Sequence, residues 1–422
     1  MKPRDVRALV RLRPPILDPV DRTLAHCHTI DDLRRVARRR WPEGIRGYVD
    51  GGADGEVSVV RNRAAYQRFS LLPHPLRDVT EVDTRTSLLG VESALPFALA
   101  PTGYTRMMHN EGEPAVVRAA GAAGIPYTLS TVATTSLEHI ARESTGDLWF
   151  QLYVWRDRGL MRDLVARARA HGYRALMLTV DTPVTGLRAR DLRAGFTVPP
   201  TLTPQTLLQM AAHPVWCARM LTGAPITFAN LPGFEQDPMG AMAMAAELFD
   251  ASVSWDDLSE LRDLWPGPLV VKGLVRPDDA KQAAALGVDG VVLSNHGGRQ
   301  LDQALPPIEA LPAVRDAVGD DVEVYVDSGI RRGTDLAIAL ARGATGCLVG
   351  RPYLYGLGAG GQRGVAAAIS MLGEELRRAM QLLGVVSIAQ LRSEGADLVR
   401  AVGEGSHDRS AALREDPTGE PR

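Results

Sequence analysis

From about residue 94 onward, short apolar runs rich in β-branched and aromatic residues alternate with segments whose apolar positions recur at helical spacing. The strand-like runs are PFALAPT (96–102), PYTLST (126–131), LWFQLYV (148–154), ALMLTVD (175–181), PLVVKGL (268–274), GVVLSNH (290–296), VEVYVDS (322–328) and GCLVGRP (346–352). Helical patterns occupy 113–124, 136–143, 160–172, 255–265, 277–287, 308–319 and 334–343, and a long one runs from about Val365 to Gly384. Several of them end in glycine, as helix C-termini do. Strands that alternate with crossover helices build a parallel sheet. Eight such units predict a closed TIM (β/α)8 barrel, whereas a doubly wound open sheet has no reason to stop at eight.

Two pieces lie outside the repeat, and one connection within it is too long. Residues 1–93 predict helices near Ile30–Arg40 and Ala53–Tyr66, forming an N-terminal helical cap on a barrel that spans 94–402. The tail 403–422 is polar and rich in Gly, Pro and charge, and reads as disordered. After the fourth strand comes an insertion over about 182–254, roughly 70 residues where a few are usual. Within 203–234, TPQTLLQMAAHPVWCARML and ITFANLPGF carry apolar residues at partly helical spacing beside Arg219. That stretch suits either peripheral contact with a membrane interface or a flap packed over the barrel mouth.

Composition narrows the function classes. With 422 residues, 45% hydrophobic and 23% charged, the chain can bury a large core. A formal net charge of −2 gives no reason to propose nucleic acid as a partner. Arginines 34, 35, 38, 39 and 40 form a local basic cluster, read as a solvated helix face or a weak anion-attracting patch. Cys27, Cys217 and Cys347 show neither a CxxC pair nor metal-ligand spacing, so no metal site is expected and a reducing cytoplasm fits best. No apolar run of signal-peptide length follows Met1 and no window reaches about 18 apolar residues, which predicts a protein that neither spans a bilayer nor is exported by that route.

The polar residues fall where a barrel of this type does chemistry, at the C-terminal ends of its strands. Those ends read Pro101-Thr102-Gly103, Ser130-Thr131, Gln151 and Tyr153, Thr179 and Asp181, Lys272, His296 with Arg299, Asp327 to Arg331, and Gly350-Arg351. An imidazole with an acid to orient it is what base catalysis needs, so His296 and Asp181 are paired candidates. Gly297 and Gly298 would let the backbone come close to a ligand. The ends of strands seven and eight, DSGIRRG and VGRP, are glycine-interrupted and basic. Barrels often bind phosphate there, with N–H groups near Gly329 and Gly350 and the guanidinium groups of Arg331 and Arg351 as donors.

These stretches resemble one known family, the FMN-dependent 2-hydroxy acid oxidases and dehydrogenases. The resemblance covers about residues 30–400 and rests on SNHGGRQLD, YVDGGADGE (48–56), APTG (100–103), FQLYVWRDR (150–158), LTVDTP (178–183), VVKG (270–273), VDSGIRRGTD (326–335) and GRPYLYGL (351–358). Within the family the chain looks most like the bacterial L-lactate dehydrogenases that pass electrons to a membrane quinone. The resemblance implies FMN as cofactor, His296 as base and Asp181 as its partner. It implies Arg299, Arg188 and Tyr48 as a clamp for the substrate carboxylate, and Tyr153 as a hydrogen-bond partner of the substrate's hydroxyl or keto oxygen. Lys272 would lie at the flavin N1/O2 edge, where a cation stabilises the charge of the reduced ring.

By the same resemblance Pro101, Thr102, Gly103, Ser130, Gln151, Thr179, Ser294 and Asp327 would surround the flavin and its ribityl chain, with Gly329, Arg331, Gly350 and Arg351 at its phosphate. Val132 stands where glycolate oxidase has tryptophan, and Gly103 where some members have alanine; both leave room for a bulkier substrate and put glycolate in doubt. The implied reaction is oxidation of an L-2-hydroxy acid, foremost L-lactate to pyruvate, with quinone as acceptor. The alternatives are an oxygen-using oxidase of a bulkier acid such as mandelate, and a non-catalytic flavin- or phosphate-binding barrel. A homotetramer and a location in the cytoplasm, peripheral to the inner face of the cell membrane, are the matching expectations. An IMP dehydrogenase-like barrel is disfavoured because no cysteine follows the sixth strand.

Overall fold

The computed structural model describes residues 15–195, 203–223, 226–231 and 250–402. Eight parallel strands close into a barrel in chain order, the eighth pairing with the first. They are β1 (Phe97–Leu99), β2 (Tyr127–Ser130), β3 (Leu148–Tyr153), β4 (Ala175–Thr179), β5 (Leu269–Leu274), β6 (Gly290–Leu293), β7 (Glu323–Val326) and β8 (Gly346–Val349). Each lies within the run that the apolar pattern marks. The runs overshoot at their C-terminal ends because those residues leave the sheet to line the mouth.

The two-residue period of a strand explains what lies inside. Along β3, Trp149, Gln151 and Tyr153 share one face, and along β4 so do Ala175, Met177 and Thr179. The lower positions make a dry plug in which Trp149, Met177, Val270, Val292, Tyr325 and Leu348 pack with Leu88 and Leu89. Leu88 ends the first of an antiparallel pair of short strands, Thr86–Leu88 and Val91–Ser93, and Leu89 lies in the turn between them; this hairpin stops the barrel's lower end. The outward faces are buried too, under the surrounding helices, which is why the strands read as continuous apolar runs.

The cap comprises α1 (Pro19–Leu24), α2 (Ile30–Arg40), α3 (Glu43–Asp50) and α4 (Val57–Tyr66). Thr29 starts α2 with a capping box to Asp32. The sequence expectation of one helix over Ala53–Tyr66 is corrected twice. The helix begins at Val57, after a turn at Ala53–Glu56, and the preceding α3 is short and glycine-interrupted, with too weak a period to stand out. The basic cluster is neither a solvated face nor an anion patch throughout. Arg34 and Arg38 turn inward to Asp50, which also accepts from Tyr355 at 2.7 Å, and Arg40 donates to the Ala359 carbonyl.

The long helix expected from Val365 starts at Arg351 and runs to Leu383, with non-helical geometry at Gly360 and Gly361. Those two glycines obscure its continuity in the sequence. In the insertion, helices Pro204–Ala211 and Pro214–Thr222 follow each other, and Trp216 turns inward to donate to the Met107 carbonyl at 2.9 Å. Leu207, Leu208, Val215 and Leu221 are exposed on them. No described helix is long and apolar enough to cross a membrane. The tail expected over 403–422 and, within the insertion, residues 196–202, 224–225 and 232–249 lie outside the described residues.

Candidate active site

A cavity of about 710 Å³ opens at the C-terminal ends of the strands, within the range of small-molecule and cofactor sites. Register sets its floor at one level: Tyr153 is paired with Thr179, and Thr179 with Lys272. Lys272, only 4% exposed, donates to Ser294 Oγ at 2.9 Å and lies 3.2 Å from Asp327 Oδ2. Burial works against its charge, yet Asp327 and Asp181 together raise its pKa above the ordinary lysine value. The floor thus holds a fixed cation.

His296 follows β6 in a left-handed turn that continues through Gly297 and Gly298, at φ of 57°, 67° and 78°. The turn swings the ring from the strand into the mouth. Its Nδ1 lies 3.0 Å from Asp181 Oδ1, at the end of β4. Gly273 makes room for that carboxylate, since a Cβ there would come within 2.7 Å of Asp181. Burial lowers the His296 pKa below the usual imidazole value, with Asp181 pulling the other way and Lys272 adding to the lowering. The Asp181 carboxyl, for which burial is opposed by His296 and Lys272, sits below its ordinary value. The pair is therefore a neutral imidazole against an ionised carboxylate.

Arginines line the rim. Arg299 stacks over the Tyr48 ring, 4.6 Å from its centroid, and donates to the Tyr48 and Gly51 carbonyls. Burial, with Arg188 and Arg351 nearby, pushes its pKa down to about 9. Arg188 leaves its buried Nε without a partner. Arg331 is buried with a depressed pKa, for which burial comes first and Arg351 contributes. Four guanidinium groups face one cavity and none is ion-paired to a carboxylate among the described residues, an arrangement suited to binding anions.

Comparison with known proteins agrees with this geometry. The profile of the family described as FMN-dependent dehydrogenase matches residues 37–398. The chain belongs to this family. A protein of Mycobacterium tuberculosis, provisionally named an L-lactate dehydrogenase, is 45% identical over 401 residues, covering 95% of this chain and 96% of its own. An L-lactate dehydrogenase of Caulobacter vibrioides is also 45% identical, over 85% of this chain and 95% of its own. Among solved structures, a monotopic membrane (S)-mandelate dehydrogenase superposes with a TM-score of 0.86 at 38% identity, covering 89% of this chain and all of that one. These matches place the chain among FMN-dependent oxidoreductases acting on 2-hydroxy acids.

The residues present fit FMN. Gln151 Oε1 accepts from Ser130 Oγ at 3.0 Å and Thr131 N at 3.4 Å, which fixes the amide so that Nε2 is the end left over. That Nε2 and Thr179 Oγ1 are buried without partners, and both residues line the cavity. Buried polar atoms of this kind call for a polar ligand edge. Arg331 and Arg351, like charges at the ends of β7 and β8, meet the same need for a phosphate.

Every cofactor- and substrate-binding candidate from the sequence lines this cavity except Ser294, and of the catalytic candidates only Asp181 does not. Ser294 lies behind Lys272, and Asp181 behind His296. Three expected contacts differ in detail. Gly297 and Gly298 make room for the protein itself, since a Cβ at either would come within 2.8 Å of Arg351 or 2.7 Å of Val59. Arg351 donates to the carbonyls of Val49, Gly297 and Gly51, tying cap to barrel while lining the cavity. The Thr102 hydroxyl is held by those of Thr105 and Tyr353.

Tyr104, Asp191 and Phe228 also line the cavity and escaped the sequence reading. Asp191 stood three residues after Arg188 as a findable charge; Phe228 lies in the apolar run ITFANLPGF, which suits a flap over the barrel mouth as one of two readings but does not single it out as a site residue.

Proposed function

We propose that this chain oxidises L-lactate to pyruvate and passes the electrons onward to a quinone. The carrying observation is the His296–Asp181 pair at 3.0 Å in a cavity shared with Arg188, Arg299 and Lys272. Arg299 and Arg188 hold the substrate carboxylate, with Tyr48 donating a further hydrogen bond. Tyr153 hydrogen-bonds the substrate's hydroxyl oxygen. His296 takes one proton, and Asp181 stabilises the imidazolium that forms. Whether that proton leaves carbon or oxygen, the same imidazole receives it. The chemistry FMN supplies when bound is acceptance of the two electrons. Lys272 sets a positive charge on the wall that receives the flavin's polar edge. Pro101, Thr102, Gly103, Ser130, Gln151, Thr179 and Asp327 would surround the ring and ribityl chain, with Ser294 behind them holding Lys272, and Gly329, Arg331, Gly350 and Arg351 would surround the phosphate.

Quinone as acceptor is supported by the exposed leucine-rich face of the insertion helices, which would lie against the membrane's inner surface, and by the likeness to a monotopic membrane protein. The enzyme would then be a peripheral homotetramer. A second reading, oxidation of a bulkier acid such as mandelate with oxygen as acceptor, is favoured by Val132 and Gly103. A Cβ on Gly103 would come 2.7 Å from Val132 Cγ2, so glycine keeps that corner open.

The test is anaerobic bleaching of the yellow holoenzyme by a panel of 2-hydroxy acids, followed by a soluble quinone or air. L-lactate should bleach it and quinone should restore the colour faster than air. The His296→Ala variant should bind FMN yet stay yellow with every acid. Bleaching of that variant at the normal rate would overturn the assignment of the base.

A further inference from the structure

Asp191 lies in the short helix Ala189–Arg193, just after Arg188, and faces the same cavity. It is 5% exposed, and its Oδ1 is buried with no hydrogen-bond partner. Arg188 has the complementary deficit in its buried, unpartnered Nε. Charged and titratable groups face Asp191 from each neighbouring element. These are Arg188 and Arg190 on its own segment, Arg299 from the turn after β6, and Glu56 and Tyr48 from the cap. Arg190 is engaged by Glu56. That leaves Arg188 and Arg299 to balance the carboxylate, yet no ion pair among the described residues joins it to either.

A carboxylate so placed offsets the charge of both arginines without occupying their donors. We propose that Asp191 is the counter-charge of the carboxylate clamp, balancing Arg188 and Arg299 while the clamp is empty and yielding that role to the substrate, with uptake of a proton as the acid binds. Asp191 is thus a positioning residue, and the proposal rests on the clamp reading given above. Burial already pushes its carboxyl above the ordinary aspartate range, with Arg299 and Arg188 opposing. A second carboxylate between those arginines removes the opposition, so binding and protonation of Asp191 support each other. Affinity for the acid therefore weakens as pH rises.

The test uses the FMN-loaded His296→Ala protein, in which the substrate is not turned over and the imidazole's own proton linkage is gone. L-lactate is titrated by calorimetry in buffers of different ionisation enthalpy, between about pH 5 and 8. Proton uptake is expected, and adding Asp191→Asn should abolish it while tightening binding roughly tenfold at the upper end, the equivalent of one pKa unit. Unchanged uptake, or equal or weaker binding, in the double variant overturns the proposal. Should Asp191→Asn fail to fold, absence of uptake in His296→Ala alone overturns it equally. Arg299→Lys in the same background separates the two readings. Weaker lactate binding there upholds the clamp whatever Asp191 does, and unchanged binding removes the clamp and this proposal with it.

Discussion

His296 and Lys272 each meet a carboxylate that the protein supplies, at 3.0 Å to Asp181 and 3.2 Å to Asp327. Arg188, Arg299, Arg331 and Arg351 face the same cavity, and among the described residues none has a carboxylate at ion-pair distance. The first set is complete before any ligand arrives, so its geometry and protonation are fixed by the fold; fixed groups suit proton transfer and charge stabilisation, which gain from not having to reorganise. In the second set Arg299, Arg331 and Arg351 are held by backbone carbonyls, and the four positive charges exceed what Asp191, the carboxylate near Arg188 and Arg299, can offset, so the set gains from binding an anion. One cavity therefore carries two designs, one closed for chemistry and one open for recognition.

Breaking the closed design should cost most. Asp181→Asn keeps the shape but removes the charge that orients and stabilises the imidazole, so flavin reduction should fall by roughly 10²–10⁴-fold, the range of acid–base contributions. Its pH profile carries the sign. Reduction needs neutral His296, so rate is lost as pH drops through the imidazole pKa. Asp181 raises that pKa against the effect of burial. Its removal lowers the pKa further, so the acid limb should move to lower pH even as the plateau falls. Stopped-flow reduction over a pH series checks this, and a limb that moves upward would refute the pairing. Breaking the open design should cost less. Arg299→Lys keeps the charge but loses the planar fork, and should raise KM about 10- to 100-fold, the worth of about 1.5–3 kcal/mol in charged hydrogen bonds. The accompanying change in kcat should be smaller, because the clamp grips ground and transition states alike.

The same division governs what the sequence could disclose. The barrel and the strand-end chemistry were legible because a parallel strand buried on both faces announces itself as an apolar run, and the first polar residues after it must lie at the mouth. Gln151, Thr179, Lys272 and His296 were found in that way. Tyr48 and Arg188, outside the strands, were found only through family resemblance. The pairing of Asp181 with His296, residues 115 positions apart, follows once both are strand ends. Phe228 was legible only as part of an apolar stretch that suited either a membrane contact or a flap over the mouth, because it belongs to the insertion and its local pattern does not say which residue returns to the barrel. Its return is fixed by distant partners. Ala229 N donates to the Ala133 carbonyl, and Asn230 accepts from Leu137 N while donating to the carbonyls of Ser130 and Thr131.

That returning segment gives the cavity a third wall, apolar and uncharged, against which the contrast between the two charged sets can be sharpened. Phe228 is 2% exposed and meets Tyr104 edge-on, with ring centroids 4.8 Å apart, and Tyr104 meets Tyr48 in the same way at 5.7 Å. Neither charged set distinguishes one 2-hydroxy acid from another, because every such acid brings the same carboxylate and the same hydroxyl. Discrimination must then come from whatever touches the remaining substituent, and the wall of Phe228, Tyr104, Val132 and Gly103 is one apolar surface of the cavity that can do so. Phe228→Leu keeps the wall apolar while removing ring volume, so it should leave the His296 pH profile and FMN binding unchanged. The ratio of kcat/KM for (S)-mandelate to that for L-lactate should rise roughly tenfold, the scale on which an apolar pocket discriminates small changes in size. Steady-state kinetics with both acids at one pH measures the ratio. An unchanged ratio would assign selectivity to the charged rim instead, and an altered pH profile would mean that the insertion also shapes the catalytic pair.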